Sequence, residues 1–368
     1  MTVSWEVARA LAAMGYSAPT PIQETVIPLV RQAFDVVGQA QTGTGKTAAF
    51  GIPLVEAADP KSNSLQVLIL TPTRELAVQV CAELTRLGQY RGIRAAAIYG
   101  GQAFGPQLDA LHRGSQIVVA TPGRLMDHLG RGNLRLDQAR TVVLDEADQM
   151  LDIGFAPDIE RILRQTPRSR QTLLFSATMP EPIKRLARRY MRDPQWVRAG
   201  GEARPVEQVE QVYYEVAERD KRFALRELLE DPQGVTQALI FRRTKAGVDD
   251  LVYDLKRRSY DVQGIHGDMT QPQRDAVMKL FRANRLRLLV ATNLAARGLD
   301  ISGISHVINY DMPSNVEEYV HRIGRTARMG KPGTAIILVS EWDVDTFDTI
   351  LAHVGKELKL QRLAKLYA

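Results

Sequence analysis

An acidic cluster directly after an apolar run is the most chemically informative part of the chain. Val142–Leu144 are apolar and β-prone, and Asp145-Glu146-Ala147-Asp148 follow at once. Carboxylates that leave a buried strand without partners carry a large desolvation cost. At the carboxyl end of a parallel strand, however, they can face a Mg²⁺ ion and a nucleotide. The cluster therefore predicts hydrolysis of a nucleoside triphosphate.

Each carboxylate of the cluster has a predicted role. Asp145 is expected to bind Mg²⁺, directly or through water, and Glu146 is expected to orient and deprotonate the attacking water. Their side chains point to different sides because neighbouring residues that leave a strand diverge. Asp148 is expected to make a bridging contact. The competing interpretation is an acidic surface turn, which the fully apolar strand before the cluster disfavours.

A glycine-rich segment earlier in the chain matches a phosphate-binding loop. Gly43 and Gly45 let the backbone turn tightly and direct its N–H groups at phosphate oxygens. Lys46 is expected to reach the β- and γ-phosphates, and the Thr47 hydroxyl is expected to bind Mg²⁺. The general pattern has a glycine where this chain has Ala40, so a glycine-rich turn that caps a helix is the alternative. The predicted nucleotide contacts are Gln41, Thr42, Gly43, Thr44, Gly45, Lys46 and Thr47.

Composition is compatible with a protein that binds a polyanion. The length of 368 residues favours two domains, and the net charge of +6 suits a nucleic-acid partner. Cys81 is the only cysteine, which excludes an internal disulfide and fits a reducing compartment. The sequence has no signal peptide and no apolar run of the roughly 20 residues that a membrane helix requires. A cytoplasmic location is therefore expected.

Short β-prone runs alternate with amphipathic stretches along the whole chain, which predicts parallel α/β sheets. The first series of candidate strands is 35–37, 67–70, 96–99, 117–120, 142–144 and 172–175. The second series is 209–216, 238–241, 262–266, 287–291, 306–309 and 335–339. Between them, Arg198–Pro205 is small and polar and carries Gly and Pro, as a linker would. The predicted organisation is a first domain at 1–200, a linker at 201–207 and a second domain at 208–368.

Nearly every candidate strand ends in a polar or glycine-rich group, for example Gly100-Gly101 and Thr121–Arg124. In open parallel sheets, ligands bind beyond the carboxyl ends of the strands. Two sheets with such edges predict one ligand cleft shared by the two domains.

Taken together, these residues resemble a bacterial member of the DEAD-box family of ATP-dependent RNA helicases, which has the core of helicase superfamily 2. Asp145–Asp148 corresponds to the namesake motif of that family. The segment Gly15–Gln23 resembles the adenine-reading motif of that family. The resemblance implies that Gln23 hydrogen-bonds the adenine edge and that Tyr16 stacks on its face. An amide offers a donor and an acceptor together, which suits adenine. It also implies two tandem RecA-like domains, ATP and Mg²⁺ as cofactors, and RNA as the partner.

Further segments resemble the RNA-contacting motifs of the family. Arginines suit phosphates, hydroxyls can donate, and glycines permit close approach of the RNA backbone. Such contacts carry little sequence preference. The residues that the resemblance assigns to RNA are Pro72, Thr73, Arg74, Gly101, Thr121, Pro122, Gly123 and Arg124 in the first domain and Arg242, Thr244, Gly267, Thr292 and Gly298 in the second.

The resemblance implies that the remaining motifs bind ATP or couple the two domains. Asp300 is expected to accept a hydrogen bond from the ribose. One helical turn is expected to bring Arg325 and Arg328 to one face, from which both reach the γ-phosphate across the cleft as arginine fingers. Asn293 stands where the family usually has Asp. The residues that the resemblance assigns to coupling are Asp148, Ser176, Thr178, His321 and Arg322.

The predicted function is RNA-stimulated ATP hydrolysis that closes the cleft and unwinds short RNA duplexes or remodels ribonucleoproteins. Two alternatives are an ATP-dependent RNA clamp with little unwinding and a DNA translocase of the wider superfamily, which the acidic motif and Gln23 disfavour. A third alternative, a nucleotide-binding protein without catalysis, is disfavoured by the presence of Lys46, Glu146 and Arg325.

Overall fold

The chain divides into two compact units, Met1–Gly201 and Glu202–Ala368. The computed structural model describes residues 2–40, 44–198, 209–230, 235–296, 301, 304–326 and 333–363. The predicted linker at 201–207 lies outside these residues. No helix among them is long and apolar enough to cross a membrane.

The first unit is built on a seven-stranded sheet with the order β3-β4-β2-β5-β6-β1-β7, in which every pairing is parallel. Its central strands are apolar and fully buried because helices cover both faces. The strands are β1 (Val36–Gln39), β2 (Val67–Leu70), β3 (Ala95–Ile98), β4 (Ile117–Ala120), β5 (Thr141–Leu144), β6 (Gln171–Ser176) and β7 (Gln195–Arg198). The helices are α1 (Trp5–Ala13), α2 (Pro21–Arg31), α3 (Lys46–Ala57), α4 (Arg74–Gly88), α5 (Phe104–His112), α6 (Pro122–Gly130), α7 (Ala147–Asp152), α8 (Ala156–Gln165) and α9 (Glu181–Tyr190), with a 3₁₀ turn at Gln89–Arg91.

The second unit repeats this plan with the strand order β10-β11-β9-β12-β13-β8-β14, again with parallel pairings. The strands are β8 (Val209–Glu215), β9 (Ala238–Arg242), β10 (Val262–Ile265), β11 (Leu288–Thr292), β12 (His306–Asn309), β13 (Gly333–Val339) and β14 (Leu358–Leu360). The helices are α10 (Lys221–Glu230), α11 (Lys245–Arg257), α12 (Gln271–Arg282), α13 (Asn293–Ala296), α14 (Val316–Ile323) and α15 (Val344–Val354), with 3₁₀ turns at Glu218–Asp220 and Gly355–Glu357. The predicted fold class of two parallel α/β sheets is confirmed.

Every candidate strand of the two series overlaps a strand of the structure, whereas the edge strands β7 and β14 were not predicted. In β7, Val197 is 6% exposed but Trp196 is 52% exposed, so the strand has no continuous apolar run. Arg198 ends β7 rather than beginning a linker. An edge strand has only one neighbour and needs less apolar sequence, which explains why it was missed.

In the core of the first unit, helix α3 packs against the sheet beside a glycine of β1. Gly38 pairs with Phe175 of β6, and a Cβ at Gly38 would lie 2.6 Å from the Phe175 ring. That ring is buried and lies 5.3 Å from the ring of Phe50 on α3. A side chain larger than hydrogen therefore does not fit at Gly38.

We expect Gly38→Ala to lower the free energy of unfolding by about 1–3 kcal/mol, because the added methyl overpacks a closed core. Urea denaturation of the full chain measures this loss. Gly105→Ala is the matched control, since Gly105 lies in α5 with no heavy atom near its would-be Cβ. It is expected to be neutral or to stabilise by up to about 1 kcal/mol. Equal stability of the two variants would contradict the packing argument.

Candidate functional site

The phosphate-binding loop connects the carboxyl end of β1 to α3. Gly45 is the N-cap of α3 with a φ of 90°, and Lys46 begins the helix. Lys46 is 7% exposed, and its Nζ donates to the Ala40 carbonyl at 3.0 Å. A buried ammonium at the positive end of a helix forms an anion site when its carbonyl partner is exchanged for phosphate. Gln41, Thr42 and Gly43 lie outside the described residues.

Gln23 connects the start of α2 to this loop. Its Oε1 accepts from the Thr20 backbone N–H at 3.0 Å, and its Nε2 donates to the Gly45 carbonyl at 3.1 Å. The Thr20 hydroxyl donates to the Thr44 carbonyl at 2.9 Å. A Cβ at Gly45 would lie 2.4 Å from Gln23 Nε2, so this approach, like the positive φ, requires glycine. The structure therefore ties the predicted adenine-reading residue to the phosphate loop, a link that the sequence does not reveal.

Tyr16 is half-buried against the apolar core of the first unit. Its hydroxyl donates to Glu83 Oε1 on α4 at 3.1 Å. Burial and the nearby Glu83 carboxylate raise the pKa of Tyr16 to about 12. The phenol end is thus fixed on α4, and stacking of its ring on adenine stays a prediction.

The acidic cluster is buried at the carboxyl end of β5, as its sequence context predicts. Asp145, Glu146 and Asp148 are 3%, 5% and 5% exposed. Burial raises the pKa of Asp145 to about 7; Lys46 opposes this shift, and the Glu146 and Asp148 carboxylates add to it. Glu146 has a φ of 53°, a left-handed backbone that costs roughly 1 kcal/mol or more in a non-glycine residue. A divalent cation would relieve the repulsion among these acids.

The donor set fits Mg²⁺. Among the described residues, no three His, Cys, Asp or Glu side chains form a cage for a metal ion. Mg²⁺ is commonly held by one or two protein oxygens together with phosphates and water rather than by an all-protein cage. The Asp145 carboxylate and the Thr47 hydroxyl would supply such oxygens.

Asp148 is fixed by the motif that follows β6. Its Oδ2 accepts from both the backbone N–H and the hydroxyl of Thr178, each at 2.9 Å. Its own backbone N–H donates to the Ser176 hydroxyl at 3.3 Å. The structure therefore brings Asp148, Ser176 and Thr178 together within the first unit. Their part in coupling the two units stays a prediction.

The predicted RNA residues of the first unit lie at the carboxyl ends of β2, β3 and β4. Thr73 caps α4 through a bond from the Leu76 N–H at 3.2 Å, which places Arg74 in the first turn. A Cβ at Gly101 would lie 2.0 Å from Arg74 Nη1, so the guanidinium lies directly on this glycine. The other predicted residues here, Pro72, Thr121, Pro122, Gly123 and Arg124, lie just before α4 or at the start of α6.

Two residues that hydrogen-bond the segments at this edge of the first sheet, Gln102 and Gln107, were not predicted from the sequence. The Gln102 carbonyl accepts from Arg124 Nη1 at 2.9 Å. Gln107 is 2% exposed, and its Nε2 donates to the Tyr99 carbonyl at 2.9 Å and to Gln102 Oε1 at 3.2 Å. A polar residue on the buried side of the amphipathic α5 was the only sequence signal for Gln107.

In the second unit, the predicted RNA residues surround the end of β9. Arg242 Nε donates to Asp311 Oδ2 at 2.9 Å, and its guanidinium lies 4.4 Å from the centroid of the Tyr310 ring. Thr244 caps α11 by accepting from the Gly247 N–H at 3.0 Å. Gly267 and Thr292 follow β10 and end β11, respectively. Gly298 and Asp300 lie outside the described residues.

The expectation that one helical turn carries both candidate arginine fingers is wrong for Arg325. The helix α14 ends at Ile323, and Thr326 already forms a parallel bridge with Ile304. Arg325 lies between them in a turn, with its backbone N–H bonded to the Arg322 carbonyl at 3.2 Å and 6% of the residue exposed. The glycine at 324 follows the helix directly, and such residues favour helix ends. Arg328 lies outside the described residues.

Arg322 is buried in the second unit and hydrogen-bonds three other residues. Its Nη1 donates to Asn309 Oδ1 and to the Asp311 carbonyl, each at 2.9 Å, and its Nη2 pairs with Glu318. The guanidinium lies 4.7 Å from the Phe241 ring centroid. Only 3% of Arg322 is exposed, so it positions the ends of β9 and β12. His321 lies beside it on α14 and is partly exposed.

Comparison with known proteins gives matches along most of the chain. Residues 20–186 match the family described as DEAD/DEAH box helicase, and residues 220–330 match the helicase conserved C-terminal domain. The chain is 50% identical over 357 residues to the DEAD-box ATP-dependent RNA helicase CshA of Geobacillus kaustophilus, covering 97% of this chain and 75% of that protein. It is 50% identical over 338 residues to CshA of Bacillus subtilis, covering 92% and 68%.

Solved structures show the same fold. The structure of S. cerevisiae Dbp5 bound to RNA and ADP BeF3 matches with a TM-score of 0.89 and 30% identity, covering 99% of this chain and 95% of that chain.

Proposed function

The chain belongs to the DEAD-box family of ATP-dependent RNA helicases, and from that premise we propose the finer mechanism by which its residues work. It is an ATP-dependent RNA helicase with two RecA-like domains. RNA stimulates ATP hydrolysis, and the ATPase cycle opens short RNA duplexes or remodels ribonucleoproteins. The observation that carries the proposal is the buried group of Lys46, Asp145 and Glu146 at the carboxyl edge of the first sheet.

ATP binds at this edge of the first unit. Lys46 exchanges the Ala40 carbonyl for the β- and γ-phosphates. Thr47 and Asp145 would hold Mg²⁺, which would supply charge stabilisation at the phosphate oxygens. Glu146 orients the attacking water and takes its proton. Its neighbour Asp145 would hold the metal, because adjacent residues that leave a strand point to different sides.

The second unit supplies further groups to the same ATP. Arg325 and Arg328 stabilise the negative charge that develops on the γ-phosphate, and Asp300 accepts from the ribose. Because these groups and those of the first unit come from separate domains, ATP and RNA bind cooperatively. Asp148, with Ser176 and Thr178, couples the state of the ATP site to the RNA site.

RNA binds through its backbone. The arginines and helix N-termini of the predicted RNA residues suit phosphate oxygens, and nothing in this set selects a base. The net charge of +6 supports a polyanionic partner. Dbp5, a relative of this chain, has been solved with RNA and ADP BeF3, which supports RNA and an adenine nucleotide as joint ligands.

The parent protein is expected to show ATPase activity that single-stranded RNA stimulates and DNA of matched sequence does not. Glu146→Gln is expected to lower kcat by about 10²–10⁴-fold because it removes the general base. It keeps the size of the side chain and is expected to retain ATP-dependent RNA binding. Steady-state phosphate release and fluorescence anisotropy of a labelled oligouridylate measure the two properties.

The control for Glu146→Gln is Glu181→Gln, the same change at a side chain that is 57% exposed on α9. It is expected to behave as the parent. Loss of both hydrolysis and RNA binding in Glu146→Gln would contradict the assigned role. Equal stimulation by RNA and DNA would refute the RNA dependence and favour a DNA translocase.

Arg325→Ala is expected to lower the hydrolysis rate by about 10³–10⁵-fold, as loss of an arginine finger does. Affinity for ATP is expected to change little because the first unit binds most of the nucleotide. Equilibrium titration with a fluorescent ATP analogue and single-turnover hydrolysis separate the two effects. Arg285→Ala removes the same charge from an exposed position in the second unit and serves as control. An unchanged kcat in Arg325→Ala would rule out the finger.

Gln23→Ala is expected to reduce the preference for ATP over GTP by about tenfold, because the amide edge no longer selects adenine. It also removes the bond to Gly45, so affinity for both nucleotides falls. Thr20→Val separates these effects, since it loses the bond to Thr44 but keeps the Gln23 amide. Competition of ATP and GTP for the site gives the preference. A ratio that is unchanged in Gln23→Ala and altered in Thr20→Val would assign selectivity elsewhere.

A further inference from the structure

The segment between β3 and α5 carries three arginines that come from other elements. Arg74 of α4 lies on Gly101, whose would-be Cβ is 2.0 Å from the guanidinium. Arg124 of α6 donates to the Gln102 carbonyl at 2.9 Å. Arg124 and Arg131 each lie 4.3 Å from the centroid of the Phe104 ring. Residues 101–104 therefore contact three guanidinium groups: Arg74 at Gly101, Arg124 at Gln102 and Phe104, and Arg131 at Phe104.

Phe104 contacts two of these guanidinium groups. The Cζ atoms of Arg124 and Arg131 each lie over its ring, 4.3 Å from the ring centroid. Guanidinium groups stack favourably on aromatic faces. The ring therefore holds Arg124 and Arg131 in place.

The Phe104 ring is itself fixed from the protein side. The fully buried His128 ring lies 4.9 Å from it. His128 Nε2 lies 3.2 Å from Gln107 Oε1, which can only accept, so this nitrogen donates. Burial and the neighbouring Arg124 lower the pKa of His128, which favours the neutral imidazole. The Phe104 ring is therefore anchored on its protein side by a buried polar network.

The two stacked arginines differ in their remaining interactions. The Arg124 side chain is 9% exposed and lies 3.8 Å from the Asp127 carboxylate. Arg131 is exposed at the end of α6 and, among the residues that the structure describes, forms no ion pair. An ordered and exposed guanidinium whose charge is not offset has lost side-chain entropy already and suits a phosphate ligand.

We propose that Arg131 is an additional contact to RNA backbone phosphates in the first unit, and that Phe104 is the positioning residue that orders both Arg124 and Arg131 for this contact. The inference rests on the proposed RNA interface around Arg124 and extends it from Arg74 along residues 101–104 to the end of α6. The site takes single-stranded RNA through its phosphates and does not read bases.

Arg131→Ala in the full chain is expected to weaken binding of a fluorescein-labelled oligouridylate about tenfold in the presence of a non-hydrolysable ATP analogue. The slope of log Kd against log salt concentration is expected to fall by about 0.7, the value for one phosphate contact on a single strand. Arg135→Ala is the matched control, because that side chain is 84% exposed beside Asp137 and carries the same charge. It is expected to keep the parental slope.

Phe104→Leu is expected to weaken RNA binding at least as much as Arg131→Ala, since both guanidinium groups lose their support. Phe104→Tyr keeps the ring and is expected to restore binding. In RNA-stimulated ATPase assays, Phe104→Leu is expected to raise KM for RNA while kcat at saturating RNA is retained. A residue that only supports folding would instead lower the thermal midpoint and the active fraction without changing the KM of the folded protein.

Arg124→Ala distinguishes failure of this inference from failure of the proposed RNA interface. If Arg124→Ala weakens RNA binding but Arg131→Ala and Phe104→Leu bind like the parent, the extension to Arg131 is wrong and the interface stands. If none of the three variants changes RNA affinity, the interface itself is misplaced. A parental salt slope in Arg131→Ala, or failure of Phe104→Tyr to restore binding, would also overturn the proposal.

Discussion

The burial of four charged side chains at one edge of the first sheet is the constraint on which the rest of this unit depends. Lys46, Asp145, Glu146 and Asp148 are each less than 10% exposed. Buried charges are tolerated only when they are paired or hydrogen-bonded. Parallel strands bring their carboxyl ends to the same edge, and the helices that follow contribute backbone N–H groups there. The fold thus brings these charges together at an edge where backbone N–H groups and neighbouring side chains can support them.

The backbone around the cluster reflects that constraint. Gly45 with a φ of 90° and Glu146 with a φ of 53° lie where a strand gives way to a helix, α3 and α7 respectively. The left-handed backbone costs nothing at glycine but is unfavourable at Glu146. Two residues further on, Asp148 is held by the two bonds from Thr178, which fix the first turn of α7.

The parts of the structure that could be predicted from the sequence are those that depend on short, contiguous residue patterns. The buried central strands are continuous apolar runs, and their polar ends identify the functional edge, so the two sheets and the location of the acidic cluster were predicted. The edge strand β7 was missed because only alternate residues such as Val197 are buried. The turn at Arg325 was predicted as helical because the spacing of Arg325 and Arg328 was given more weight than Gly324, the residue that ends α14.

Contacts between segments far apart in the chain could not be predicted. The bond from Gln23 to the Gly45 carbonyl spans 22 residues, and the bond from Tyr16 to Glu83 spans 67. Neither partner has a pattern that selects the other. The predicted adenine-reading segment and the phosphate loop were identified separately from their motifs, but only the fold shows that hydrogen bonds connect them.

The two units position their arginines in the same physical way. Arg124 lies on Phe104 in the first unit, and Arg242 and Arg322 lie on Tyr310 and Phe241 in the second, at 4.3, 4.4 and 4.7 Å. In each case an oxygen acceptor fixes the guanidinium in its plane while the ring fixes it from above. A lysine could keep the charge but not the planar stack or the forked hydrogen bonds. Arginine therefore suits these three positions, since a planar cation can be ordered by a ring and by an oxygen acceptor at the same time.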